Sequence, residues 1–340
     1  MTLVWRAAVV MAGLLPALVA GGCGRSTPKG DAPSGGGPTP TARAVLTEAE
    51  ARSLLAEVSR KNNQANAAFD SRLLGEYEAE SSFRIDEAVY RIGRVLDPQH
   101  KDPLTSFEYT ARAFYLPRSA GHPQWFLADA SISTSKRRYL LVFARQAADQ
   151  PWKMVIQAAL DGELPTMASD TTGTAVTVPA DDTTTLLAAP NDVAAAHAAY
   201  LTAGRSAPPA AMFAPDKEST AIIEDGTLRA TLVFVNKKTG VIAPAQRFTR
   251  TVTVEPYPVR VLRTTDGGAL ACYVTKRQVV AEQPDGLTKI TGADAALAGR
   301  TDFDQKITIT WLDQWVVRIP PKGGGQVTVL AHLDGKESIT

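Results

Sequence analysis

From residue 45 the chain alternates between two hydrophobic periods. Ala51, Leu54, Leu55 and Val58 recur at i, i+3, i+4 and i+7, which lines one face of a helix. Thr47 and Glu50 precede that stripe at capping-box spacing, where each side chain satisfies the other's free backbone N–H. A second helix is predicted over 85–95. The period then falls to two, and strands are predicted over 107–116, 124–133, 138–145 and 152–160, divided by turns such as Gly121-His122-Pro123 and Asp149-Gln150-Pro151.

The same order returns in the second half. Asn191 or Asp192 stands as a helix cap before Val193, Ala196, His197, Tyr200 and Leu201. Strands are predicted over 228–235, 247–263, 269–282, 305–312 with a continuation to 319, and 326–333. Asp266-Gly267-Gly268 and Gly323-Gly324-Gly325 are suited to tight hairpins, because glycine adopts positive φ at little cost. Val155 to Gly162 also resembles Val329 to Gly335 once one residue is slipped, and each phrase closes its half. Tandem duplication follows as an expectation, with domains at 45–168 and 191–336 and a Thr/Asp/Ala-rich linker at 169–190.

The first 44 residues have a different character. Arg6 precedes an apolar run from Ala7 to Ala20, too short for the roughly 20 residues of a membrane-crossing helix, and Ala20-Gly21-Gly22 leads into Cys23. This order resembles that of a lipoprotein signal peptide over 1–22, and the resemblance implies lipid attachment at Cys23. Residues 23–44 are dominated by Gly, Pro, Ser and Thr, a composition that cannot bury a core, so they read as a tether reaching about 25 Å. The expected location is a membrane, with the folded part on its extracytoplasmic face.

Charge and chemistry narrow the picture mainly by exclusion. Lys plus Arg number 36 against 35 Asp plus Glu, so no concentrated basic surface speaks for nucleic acid. With Cys23 acylated, Cys272 has no partner for a disulfide and reads as a small buried apolar residue. His100, His122, His197 and His332 stand singly, with no metal-ligand spacing, and the last two read as core-edge or surface residues. Glu76, Glu78 and Glu80 alternate as a solvated acidic edge would. No Gly-x-Ser-x-Gly elbow, Walker loop or dinucleotide fingerprint occurs, and no cofactor is expected.

Helices followed by a curved antiparallel sheet resemble the nuclear-transport-factor-2-like fold, shared with SnoaL-like and ketosteroid-isomerase-like proteins. A cystatin-like fold is the nearest competitor. With its lipobox, its tether and phrases such as Asn62-Asn63-Gln64-Ala65-Asn66 and Ala194 to Leu201, the chain resembles a family of secreted lipoproteins from Streptomyces-type bacteria. The resemblance implies an α+β fold of two tandem cone-type domains, each with N-terminal helices packed on a curved sheet. In enzymes of that fold an Asp or His, helped by a Tyr, performs acid–base work in an apolar cone. Asp129 is the carboxylate inside an otherwise apolar strand, with Tyr109 and Tyr139 on neighbouring strands, so these three are the ligand-pocket candidates. Parity sets Asp129 opposite the apolar face of Phe126, Ala128, Ala130 and Ile132, toward solvent; the other reading points it into the cone. The expected function is a non-catalytic binding or interaction module meeting an envelope protein or a small hydrophobic ligand. An isomerase- or dehydratase-like enzyme is the alternative.

Overall fold

The computed structural model describes residues 42–340; the expected signal peptide, Cys23 and nearly all of the expected tether lie outside the described residues. A short strand, β1 (Arg43–Ala44), leads into helices α1 (Glu48–Ala68), α2 (Ser71–Tyr77) and α3 (Glu80–Leu96). The capping box forms as the spacing predicts: Glu50 N–H donates to Thr47 Oγ1 at 3.2 Å and Thr47 N–H to Glu50 Oε2 at 2.7 Å. Strands β2 (Tyr109–Tyr115), β3 (Arg118–Ser119), β4 (Gln124–Ile132), β5 (Ser135–Arg145) and β6 (Lys153–Leu160) follow, close to the predicted bounds. Helix α2 carries no periodic stripe of its own and was not expected.

The second half starts with α4 (Pro190–Ala203), which opens on a proline instead of an Asn or Asp cap. Two short helices, α5 (Lys217–Glu224) and α6 (Gly226–Thr231), precede β7 (Val233–Asn236) and β8 (Ile242–Pro244). The predicted strand over 228–235 is therefore a helical turn in its first part. The predicted strand over 247–263 is two, β9 (Arg247–Val254) and β10 (Arg260–Arg263), since Pro256 and Pro258 cannot donate to a ladder. The half closes with β11 (Ala269–Lys289), α7 (Gly292–Ala298), β12 (Asp302–Ile319) and β13 (Thr328–Ile339).

The two halves, expected as separate cones, share one sheet. Eleven strands run in the order β2-β4-β5-β6-β13-β12-β11-β7-β8, with β9 and β10 also paired to β11. The join is narrow and antiparallel, with Ala331 opposite Leu160 and His332 opposite Ala159. Two meanders thus meet at their last strands, and the pairing removes two edges that separate domains would have left open.

Side-chain parity divides the core. In the first half Phe126, Ala128, Ala130, Leu141 and Phe143 face α1 to α3, while in the second Ala271, Tyr273, Trp315 and Val317 face α4. The opposite faces turn toward one another, and Leu127, Leu140, Val142 and Ile156 join Leu270, Cys272, Val274, Leu312 and Val316 in one apolar cluster. This cluster fills the space between the halves.

Helix α3 locks the halves. Arg84 pairs with Glu255 and, at 2.5 Å, with Glu337; Gln314 Nε2 donates to Ser81 Oγ at 2.8 Å, and its Oε1 accepts the Gln157 N–H at 2.9 Å. Helix and sheet come so close that a Cβ on Gly335 would lie 2.4 Å from Cγ2 of Ile85. The expected linker over 169–190 is also docked. Val178 N–H donates to the Val261 carbonyl, Arg263 N–H to that of Val176, and Val178 and Leu186 are buried. Glu78 is buried too, and Glu80 belongs to the lock, so neither forms part of a solvated acidic edge.

Candidate functional site

Tyr109, Tyr139 and Asp129 do not converge. Tyr109 and Tyr139 belong to the cluster beneath α1 to α3, and the Tyr109 hydroxyl donates to Gln157 Oε1 at 3.2 Å. Asp129 lies on the other face of β4, as parity predicts. That face is covered by the second half, so Asp129 is only 3% exposed and does not point to solvent. Arg138 grips its carboxylate in a fork, Nη2 to Oδ2 at 2.6 Å and Nε to Oδ1 at 3.2 Å. A paired carboxylate behind a sheet cannot serve an acid–base role in the helix-side interior. That interior is occupied by the protein's own rings, with Phe126 and Phe143 stacked at 4.9 Å and Trp152 set edge-on to Phe126 at 5.2 Å.

The most concentrated chemistry lies in the second half, on residues that the sequence showed only singly. Strands β11, β12 and β13 carry Arg277, Asp313 and His332 side by side, and α5 lays Glu218 and Ser219 across them. His332 Nε2 is 3.2 Å from Asp313 Oδ1, and its Nδ1 is 3.6 Å from Glu218 Oε2. Arg277 donates to both Asp313 oxygens, at 3.2 and 3.1 Å, and to Asp334 at 2.8 Å. The indole of Trp315 is the centre of the group. His332 stacks on it at 4.0 Å and His197 meets it at 4.5 Å.

Electrostatics assigns the two histidines opposite states. Burial would lower the His332 pKa, but its contacts with Asp313 and Glu218 outweigh that and hold it at about 9. His197 is buried without a carboxylate partner, and desolvation, reinforced by the charge on His332, lowers it to about 3. Its ring is held by the Tyr273 hydroxyl at 2.8 Å on Nδ1 and Ser219 Oγ at 3.1 Å on Nε2. One ring is thus an imidazolium and the other neutral across the ordinary pH range, whereas a general base works best with a pKa near the operating pH. Ser219 and His197 sit at nucleophile–base distance, yet both are fully buried, so no substrate reaches them. The cluster fastens α5 to the sheet. Lys217 of the same helix reaches Asp161 of the first half at 2.8 Å and extends that fastening across the join.

Cys272 faces the shared apolar cluster, and burial pushes its thiol up to about 12, as a structural cysteine requires. Among the described residues no group of three or more His, Cys, Asp and Glu could hold a metal ion. A cleft of about 280 Å³ opens where the halves and the 169–190 segment meet, lined by Arg118, Gln124, Trp125, Pro179 and Arg260. It lies below the roughly 300–1,000 Å³ of typical small-molecule sites. No helix among the described residues is long and apolar enough to cross a membrane.

The model of a domain of unknown function, DUF8094, matches residues 42–335, which is nearly all of the folded part. The chain belongs to the DUF8094 family. It is 30% identical over 299 residues to an uncharacterized lipoprotein of Streptomyces avermitilis, covering 85% of this chain and 84% of that one. It is also similar to two uncharacterized lipoproteins of Streptomyces coelicolor, at 31% identity over 305 residues (86% of this chain, 83% of the relative) and 27% over 307 (86% and 85%). No solved structure matches the chain. These relatives agree with a membrane-anchored lipoprotein.

Proposed function

We propose that this DUF8094 protein is held on the extracytoplasmic face of a membrane through lipid on Cys23 and works there as a non-catalytic binding module. Its surface, not an internal pocket, meets an envelope partner. The observation that carries this reading is the filling of both interiors: Phe126, Phe143, Tyr77 and Tyr90 in the first half, and Trp315 and Tyr273 in the second, are fully buried against their own helices. The lipoprotein relatives favour the anchor. The isomerase-like alternative would need an accessible, convergent Asp/His/Tyr set; Asp129, Tyr109 and Tyr139 lie on opposite faces of the sheet, and Asp313, His197 and Tyr273, which do gather with His332, are fully buried and engaged with one another.

Cell fractionation tests the reading. The wild-type protein should be found in membranes with fatty acid on its N-terminal cysteine, while Cys23→Ala should leave an unprocessed precursor or released protein. Membrane-bound Cys23→Ala protein at its mature size, still carrying fatty-acid label, would refute it.

A further inference from the structure

The β7–β8 hairpin breaks the rule that an exposed sheet face is polar. Phe234 points inward and is fully buried beside Val279 and Phe303. Its neighbours Val233 and Val235 point out, 39% and 40% exposed, opposite Pro244 and Ile242, the latter 66% exposed. The outward face of the hairpin is therefore entirely apolar. β8 is also the free edge of the sheet, a position that usually carries charge to prevent association. The tip is ordered, with Asn236 Oδ1 accepting the N–H groups of Lys238 and Thr239 at 2.9 and 3.0 Å. Lys237 and Lys238 occupy that tip, and the hairpin from Val233 to Pro244 contains no carboxylate. Each lysine meets one aspartate, Asp304 and Asp285 respectively, yet they remain 42% and 74% exposed.

We infer that this hairpin contacts the surface of the bilayer to which the chain is anchored, burying Val233, Val235 and Ile242 at the headgroup boundary with Lys237 and Lys238 on anionic lipid. An apolar hairpin face with lysines at its tip is the chemistry of interfacial binding, in which buried apolar area and electrostatic attraction act together. The chain outside the described residues allows it. The 18 residues between Cys23 and Ala42 span about 60 Å when extended, against a radius of gyration of about 19 Å for a folded unit of this size. Every face of the protein is within reach of the bilayer, and the apolar hairpin selects one.

The inference rests on the lipid-anchor reading for the nearness of the bilayer, so its test uses a chain without the anchor. The mature chain from residue 23 carrying Cys23→Ser is floated with vesicles of equal phosphatidylglycerol and phosphatidylcholine. The fraction bound should fall at least about tenfold in Val235→Asp/Ile242→Asp, and roughly fivefold for each of Lys237→Glu and Lys238→Glu. All four positions are solvent-exposed, so the melting temperatures should match the parent; the lysine variants decide the outcome if the double variant does not fold. Equal flotation of parent and variants would overturn the inference, as would no flotation of the parent. Sedimentation without vesicles supplies the other exit, since a dimer dissolved by Ile242→Asp would make this face a contact with a second copy. Failure of lipidation itself is read separately, from the mass of the cell-derived protein.

Discussion

Arg260 on β10 grips Glu80, the first residue of α3, through two hydrogen bonds of 3.1 and 2.7 Å that join the two halves of the chain. Glu80 takes φ of 52°, a left-handed conformation rare for a residue with a side chain, and the guanidinium fork holds it there. Both side chains are nearly buried, at 4% and 11% exposure. Removing one partner of such a pair strands the other's charge, which typically costs about 3–5 kcal/mol. Arg260→Ala should lose about that much stability in urea unfolding, and Arg260→Ala/Glu80→Gln should recover part of it. Equal losses in the single and double variants would show that the pair does not act as a unit.

The close approach of Gly335 and Ile85 gives a second check on the same lock. Gly335→Ala drives a methyl group into the Ile85 side chain, and overpacking of this kind costs about 1–3 kcal/mol. Ile85→Ala in the same chain should relieve the strain, because it removes the two Cγ atoms nearest the new methyl. A double-mutant cycle reads the coupling, and strict additivity would contradict the close contact.

The two histidines predict the pH dependence of stability. His332 rises from 6.5 to about 9 on folding, so its contribution is complete below pH 6.5 and is lost as pH climbs through 9. His197 falls from 6.5 to about 3, so between those values the unfolded chain binds a proton that the folded chain refuses, and stability is lost as pH falls from 6.5 toward 3. Unfolding free energy should therefore peak near pH 6.5. His332→Gln should flatten the alkaline side and leave the decline from pH 6.5 to 4 in place; a decline that disappears with it would assign the acid limb to the wrong residue.

Much of this fold was legible in the sequence, and the omissions have physical causes. The Thr47–Glu50 box and the alternation in β4 to β6 are local signals, set by backbone needs and by one buried face. Leu127 on the supposed solvent face of β4 was the available sign that both faces are covered, because a continuous apolar run marks a strand buried on each side. The joining of β6 to β13 left no such trace, since two residue pairs with no special turn carry it. Asp313, His332 and Arg277 each read as an ordinary strand residue. Their meeting depends on the register of three strands and the docking of α5, which no local pattern encodes. Helices α5 and α6 are too short for periodicity to separate them from the strand that follows.

The central claim is that the halves form one body around the shared apolar cluster, which leaves the surface to carry the function. Cys272 reports on this most directly, because its thiol lies inside that cluster, and in a Cys23→Ser chain it is the sole thiol. Thiol labelling of the native protein across low urea concentrations measures the free energy of the opening that exposes Cys272. The expected value equals the global unfolding free energy measured by circular dichroism, with the same urea dependence. Labelling through an opening several kcal/mol cheaper, with secondary structure intact, would show that the halves part on their own and would contradict a single body.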